Sequence, residues 1–115
     1  MKSKVIFSEN MHFIANIDNF HIDLDLDKDE GGSNKGPRPK GLILTALAGC
    51  TGMDVISILR KMRTEPEFFN VEVEAELTED HPKIFKSIKI SYNFGGKNIN
   101  RANIEKAVNL SQTNC

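Results

Sequence analysis

The stretch "PKGLILTALAGCTGMDVISILRKMR", residues 39–63, decides the fold of this chain. From Gly41 to Leu59 it contains one charged residue, Asp54, and one cysteine, Cys50. Its length and apolar composition predict a helix of about six turns. Because apolar residues occur around the whole circumference, we expect protein to surround this helix on every side.

This stretch is nearly long enough to span a membrane, which takes about 20 apolar residues. Three features argue against a span. The stretch contains Gly41, Gly49 and Gly52, and a carboxylate such as Asp54 is costly near the centre of a bilayer. Flanking strands also need an apolar surface to pack on. We therefore expect no membrane contact and a buried central helix. In so small a domain, this predicts a homodimer whose central helices pack together.

The composition excludes several classes of protein. The chain has 115 residues, which predicts one domain with a modest core. The formal net charge is −1, so there is no basic excess for tracking nucleic-acid phosphates. Trp is absent and Tyr occurs once, so aromatic platforms for stacking bases are scarce. The N-terminus "MKSKVIFSEN" reaches Ser and Glu too soon for a signal peptide. We therefore expect a cytoplasmic protein that binds no nucleic acid.

Three short strands are predicted before the helix. Lys4–Phe7 and "HFIAN" form the first two, and "FHIDLDL" alternates strictly between apolar and polar residues. We interpret the acidic side of the third strand as a solvated sheet face. Calcium binding is the alternative, but the spacing and glycine of an EF-hand are missing. The apolar side comprises Phe20, Ile22, Leu24 and Leu26, and the polar side His21, Asp23 and Asp25.

The remaining segments complete the order βββ-α-ββ-α. Residues 27–39 form a loop rich in Gly and Pro without the pattern of a P-loop or a dinucleotide fingerprint. Residues 71–77 and 88–94 alternate as strands, and "NINRANIEKAVNLSQT" predicts a helix with Asn100 as its N-cap. This order favours an α+β fold with antiparallel sheets. Because the sequence stops just after the last helix, we expect truncation, disorder beyond it, or a partner subunit that covers the sheet.

The cysteines and histidines predict no metal centre. Two cysteines, Cys50 and Cys115, are too few for a disulfide framework, and no Cys-x-x-Cys pattern occurs. His12, His21 and His81 lie far apart along the chain. We expect such isolated histidines to cover the surface.

Cys50 has two possible roles at this point. The small residues of "AGCTG" allow either close approach of another backbone, around an inert buried cysteine, or room for a substrate. A reactive cysteine must be a thiolate, and the nearest cations are Arg38 and Lys40. Asp54 follows Cys50 by four residues on the same helical face. Asp54 either forms an ion pair or orients a cation beside the sulfur.

Residues 36–63, "GPRPKGLILTALAGCTGMDVISILRKMR", resemble the central helix of the OsmC/Ohr superfamily (osmotically inducible protein C and organic hydroperoxide resistance protein). The pattern Gly-Cys-Thr-x-x-Asp occurs at Gly49, Cys50, Thr51 and Asp54. The segments "VEVEAELTEDHPKIFKSIKISYNFGG" and "INRANIEKAVNLSQTNC" are consistent with it. The resemblance implies antiparallel sheets packed on a long central helix, in an intertwined homodimer. It also implies a single OsmC-like domain over residues 1–115 that lacks the family's final helix and strand.

The resemblance implies a thiol-dependent peroxidase that reduces organic hydroperoxides in oxidative-stress defence. By that resemblance, Cys50 is the peroxidatic cysteine and Cys115 the resolving one. An external dithiol then reduces their disulfide, and no cofactor takes part.

Activation of Cys50 is not supplied by the family pattern. Lys40 and Gly41 stand where the peroxidase branches have a glutamate, and the first arginine in the chain is Arg38. Arg38 and Asp54 are therefore the candidates for binding and activation.

Two other functions stay open. One is a non-enzymatic dimeric module that binds a small apolar ligand between its helices, with Cys50 serving only as packing. The other is a redox sensor whose disulfide changes a surface recognised by a partner.

Overall fold

The structure is a computed structural model of the chain and describes residues 1–114. Its elements confirm the predicted order βββ-α-ββ-α. A single 3₁₀ turn, Lys28–Glu30, interrupts the long loop. The chain divides into two compact units, Met1–Ile43 and the residues from Leu44 onward. One domain over residues 1–115 stays a prediction. The strands and helices are β1 (Ser3–Glu9), β2 (His12–Ile17), β3 (Phe20–Leu24), α1 (Pro39–Lys61), β4 (Phe68–Leu77), β5 (Phe85–Gly95) and α2 (Arg101–Asn114).

The first unit is built on an antiparallel sheet in the order β1-β2-β3. Asp18 and Asn19 connect β2 to β3, and both have positive φ, 49° and 65°. A two-residue turn of this kind matches the twist of the strands that it joins. In the register, Val5 pairs with Ala15 and Ala15 with Ile22, so apolar side chains form a row across the sheet.

The expected solvated aspartate face is wrong at Asp25. β3 ends one residue earlier, and Asp25 is only 2% exposed. Its carboxylate accepts hydrogen bonds from the backbone N–H groups of Leu26 (2.7 Å), Ser33 (3.3 Å) and Lys35 (3.1 Å). The aspartate leaves the sheet because the loop after β3 folds back and offers these donors.

His12 also departs from the expected surface position. It is 8% exposed, and its Nε2 lies 2.7 Å from Oδ1 of Asp23. Because Asp23 is on the neighbouring strand β3, this contact ties two strands of the sheet together.

The second unit contains the antiparallel pair β4–β5. Glu72, Glu74 and Glu76 lie on its exposed side, as predicted. On the other side, the rings of Phe69 and Phe94 stack with centroids 4.5 Å apart. The register brings the apolar residues of the two strands opposite each other: Val71 with Tyr92, Val73 with Ile90, and Ala75 with Ile88.

The core of this unit forms where α1, α2 and the β4–β5 pair meet. Val55, Leu59 and Ala107 are fully buried there. The start of α2 is fixed as predicted, because Oδ1 of Asn100 accepts a hydrogen bond from the backbone N–H of Asn103 at 3.1 Å. The side chains packed around the core are Ile58, Met62, Phe69, Tyr92, Phe94, Ile104 and Val108.

One face of α1 is not covered by the described chain. Its buried residues are Thr51, Val55 and Leu59, whereas Ile43 and Met53 are 55% and 76% exposed. By length and composition alone, with a mean hydropathy of 1.9, α1 could cross a membrane, a test that core helices of soluble proteins also pass. The core of the second unit covers one face of α1. Burial of α1 on every side, which was expected in a homodimer, stays a prediction.

Candidate functional site

Cys50 lies on the exposed face of α1. Gly49, Met53 and Ser57 are exposed with it, and they recur at the three- and four-residue spacing of one helical face. The next residue, Thr51, is turned by about 100° around the helix axis and is buried in the core. The chain therefore presents Cys50 on a surface while its neighbour anchors the same helical turn.

A groove of about 710 Å³ runs along this face of α1. A Cβ atom added at Gly49 would meet nothing within 4 Å, whereas one at Gly52 would lie 3.4 Å from Cγ2 of Val71. The space beside Gly49 is therefore open to a ligand or another chain. The groove is lined by Gly49, Gly52, Met53, Ile56, Ser57, Arg60, Lys61 and Phe69.

Asp54 is half-buried, one helical turn after Cys50. Within residues 1–114 it makes no hydrogen bond and no ion pair. The ion pair proposed for Asp54 from the sequence is thus not formed by the described part of the chain.

Arg38 is bound within its own loop. Its guanidinium donates to Oδ1 of Asn34 (2.8 Å) and to the carbonyl oxygen of Gly36 (3.1 Å), and lies 3.6 Å from Oδ2 of Asp27. Within one chain, Arg38 therefore organises the loop before α1. Cys115, the second predicted catalytic residue, lies outside the described residues.

A cluster of three hydroxyl groups, which includes that of Thr51, the residue after Cys50, was not predicted from the sequence. Oγ1 of Thr51 lies 2.8 Å from Oη of Tyr92 and 2.9 Å from Oγ of Ser111. Thr51 and Ser111 are 2% and 0% exposed. Tyr92 and Ser111 lie 41 and 60 residues after Thr51 in the sequence, so no local pattern connects them. The only sequence signal for this cluster was the position of Thr51 within the Gly-Cys-Thr-x-x-Asp pattern.

Among the residues that the structure describes, no group of three His, Cys, Asp or Glu side chains is placed to hold a metal ion. Cys50 is disulfide-bonded in the structure. In its reduced form, a cysteine beside an open groove can attack a small molecule that binds there.

The comparisons with known proteins agree with this architecture. The OsmC-like protein family matches residues 31–115. Protein YhfA of Escherichia coli K12 is 30% identical over 111 residues, which are 96% of this chain and 81% of that protein. The chain belongs to the OsmC-like family, in the OsmC/Ohr superfamily. This confirms the resemblance read from the helix motif.

Solved structures confirm the α+β fold. A hypothetical protein of Aquifex aeolicus VF5 superposes with a TM-score of 0.82 at 30% identity, over 96% of this chain and 76% of that one. The organic hydroperoxide resistance protein OsmC of Legionella pneumophila gives a TM-score of 0.71 at 19% identity, over 99% of this chain and 82% of that one. At such low identity, the second likeness concerns the fold alone.

Proposed function

We propose that this protein is a thiol-dependent peroxidase that reduces organic hydroperoxides, with Cys50 as the attacking residue. The observation that carries the proposal is the exposed position of Cys50 on α1, beside an open groove of about 710 Å³. A relative of the same fold is named an organic hydroperoxide resistance protein. A role in the response to peroxide stress follows from this activity.

The reaction uses the two cysteines and needs no cofactor. The Cys50 thiolate attacks one peroxide oxygen, so that an S–O bond forms and the O–O bond breaks. The alkoxide leaves and takes a proton to become the alcohol, and Cys50 becomes a sulfenic acid. The thiolate of Cys115 then attacks the Cys50 sulfur, and water leaves as the disulfide forms. An external dithiol restores both thiols by two exchange steps.

The groove supplies the specificity for an organic hydroperoxide. Met53, Ile56 and Phe69 give it apolar walls, and Gly49, the residue before Cys50, leaves open space along the groove. An alkyl or aryl group in this groove is removed from water, which stabilises the complex in proportion to the apolar area buried. Hydrogen peroxide has no such group and gains nothing from the groove.

We propose that the active form is a homodimer. Exposed apolar side chains occur on α1, at Ile43 and Met53, and in the β1–β3 sheet, at Phe7 and Phe20. Apolar residues exposed on this scale mark surfaces that another molecule covers. A second subunit is also the source that we propose for the cation beside Asp54, with Arg38 as its candidate. A cytoplasmic location stays a prediction.

Thiol titration tests the proposed function. The fully reduced protein receives one equivalent of cumene hydroperoxide, and free thiols are counted with intact-mass analysis. We expect the wild type to lose both thiols, and Cys115→Ser to stop at a sulfenic acid that dimedone traps. Cys50→Ser should keep Cys115 reduced. Two free thiols per chain in the treated wild type would contradict the proposal.

A non-enzymatic ligand-binding module is the second candidate. The observation that favours it is the arrangement of charges: Asp54 has no cation within residues 1–114, and Arg38 is engaged by its own loop. In that case, Cys50→Ala leaves the peroxide tolerance of cells unchanged and the groove still binds an apolar fluorescent probe. A loss of tolerance in Cys50→Ala excludes it. A redox sensor would be distinguished from a peroxidase by its turnover number. With excess dithiol, a sensor consumes hydroperoxide for only one turnover.

A further inference from the structure

A chain of buried hydroxyl groups joins α1, β5 and α2. Thr51 of α1 contacts Tyr92 of β5 and Ser111 of α2, at 2.8 Å and 2.9 Å between oxygen atoms. The hydroxyl of Ser111 donates to the carbonyl oxygen of Val108 at 2.8 Å. Water cannot readily replace these contacts, because Thr51 and Ser111 are 2% and 0% exposed.

The donor and the acceptor of each hydrogen bond between these hydroxyl groups can be assigned. Ser111 has one hydroxyl proton and uses it on Val108, so it can only accept from Thr51. Thr51 therefore donates to Ser111 and accepts the proton of Tyr92. Since this series of hydrogen bonds ends at the backbone carbonyl oxygen of Val108, it cannot pass a proton onward. It serves as a fixed link between elements.

The link joins the two segments that carry the cysteines. Thr51 directly follows Cys50 in α1, and Ser111 precedes Cys115 by four residues in the sequence. The Thr51–Ser111 bond thus attaches the turn of α1 that holds Cys50 to the last turns of α2. The hydroxyl group of Tyr92, on β5, forms its hydrogen bond with Thr51 and not with Ser111.

We propose that Thr51 and Ser111 are positioning residues that bring the thiol of Cys115 within reach of Cys50. The proposal rests on the proposed function for its purpose, the second step of the peroxidase cycle. Holding two reacting groups in place raises their effective concentration. Without the Thr51–Ser111 hydrogen bond, the C-terminal end of α2 can occupy a wider range of positions. Disulfide formation between Cys50 and Cys115 then becomes less favourable.

The test measures this effective concentration without any peroxide. The reduced protein is equilibrated with reduced and oxidised glutathione, and two thiols are exchanged for one disulfide as oxidised glutathione is reduced. The disulfide fraction is measured by mass spectrometry after acid quenching, below the melting temperature of each variant. The variants are Thr51→Val and Ser111→Ala, which remove the link, and Thr51→Ser and Tyr92→Phe, which keep it.

We expect Thr51→Val and Ser111→Ala to lower the equilibrium constant for the Cys50–Cys115 disulfide by roughly fivefold, the scale of one lost hydrogen bond. Thr51→Ser and Tyr92→Phe should stay close to the wild type. Leu59→Val is the control for general destabilisation, because it opens space in the core two turns from Thr51. It should lower the melting temperature and leave the equilibrium constant unchanged.

Three results overturn the proposal: a wild type that forms no disulfide in glutathione, a Thr51→Val variant that matches it, or a Leu59→Val variant that loses as much as Thr51→Val. A wild type that forms the disulfide but consumes no hydroperoxide removes the proposed function and leaves the positioning role standing. The two failures are therefore distinct.

Discussion

The backbone N–H of Lys35 donates a hydrogen bond to Oδ2 of Asp25 at 3.1 Å. The other carboxylate oxygen of Asp25 accepts from Leu26 and Ser33, and the residue is almost completely buried. Asp25 thereby holds both ends of the glycine-rich part of the loop between β3 and α1. A loop that its sequence marks as exposed and polar is instead folded around one buried carboxylate.

Replacing Asp25 with Asn should loosen this loop. Burial by itself raises the pKa of Asp25, but the hydrogen bonds from the backbone of Leu26, Lys35 and Ser33 outweigh it, so the pKa lies below its ordinary value. Asn offers the same N–H groups only one neutral acceptor atom. We expect faster amide exchange at Ser33 and Lys35 in Asp25→Asn at neutral pH, measured as protection factors by NMR. Asp29→Asn, an exposed residue in the same loop, is the control.

The same contact predicts a dependence on pH. A folded-state pKa below the unfolded one gives stability at neutral pH that is lost as the pH falls through the folded value. Wild-type protection at Ser33 and Lys35 should therefore hold at neutral pH and fall in acid, below about pH 4. Asp25→Asn should show low protection at every pH. Equal pH profiles in the two proteins would contradict the role of the carboxylate.

Met53 tests the proposed homodimer. Its side chain is 76% exposed on the face of α1 that also carries Cys50. Lysine at this position would place a charge in an apolar interface, which is costly without a partner. We expect the wild type to run near twice its chain mass of 12.9 kDa in light scattering after gel filtration, and Met53→Lys to shift toward one chain.

The control for Met53 is Glu72→Lys, which introduces the same residue on the exposed side of β4. It should leave the mass unchanged. A wild type that runs as one chain at all concentrations contradicts the homodimer. A Met53→Lys variant that stays dimeric would place the interface elsewhere on the molecule.

Much of the fold could be predicted from the sequence because its signals are local. Alternating residues mark β4 and β5, a 23-residue apolar helix follows the proline-rich loop, and Asn100 caps α2. These patterns depend on neighbours within a few positions. They also place Cys50 on a helix and allow the family to be named.

The rest depends on contacts between distant segments. Asp25 alternates correctly for a strand, yet its partners come from a loop eight to ten residues later. The sequence around His12 does not predict its contact with Asp23, which lies on another strand. Likewise, Thr51 and Ser111 meet only once α1 and α2 have packed together. Periodicity reports which face a residue occupies but not which polar group it will meet there.

Replacing Gly49 with alanine should change the stability of the protein and its activity in opposite directions. A Cβ atom at this position meets nothing within 4 Å in the chain itself. Alanine in a helix is favoured over glycine by about 1 kcal/mol, so Gly49→Ala should raise the free energy of unfolding by up to that amount. The added methyl group would also narrow the groove next to Cys50. We therefore expect a lower kcat/KM for cumene hydroperoxide in a protein that is more stable.

Gly41→Ala is the matched control, because a Cβ atom there also meets nothing within 4 Å and the residue lies two and a half turns of α1 before Cys50. Both variants should gain stability in thermal unfolding, but only Gly49→Ala should lose activity with the bulky substrate. Its activity with hydrogen peroxide should change little, since that substrate makes no use of the apolar groove. Equal losses with both peroxides would mean that the methyl group disturbs the thiol itself. Unchanged activity with cumene hydroperoxide would show that the substrate does not bind beside Gly49.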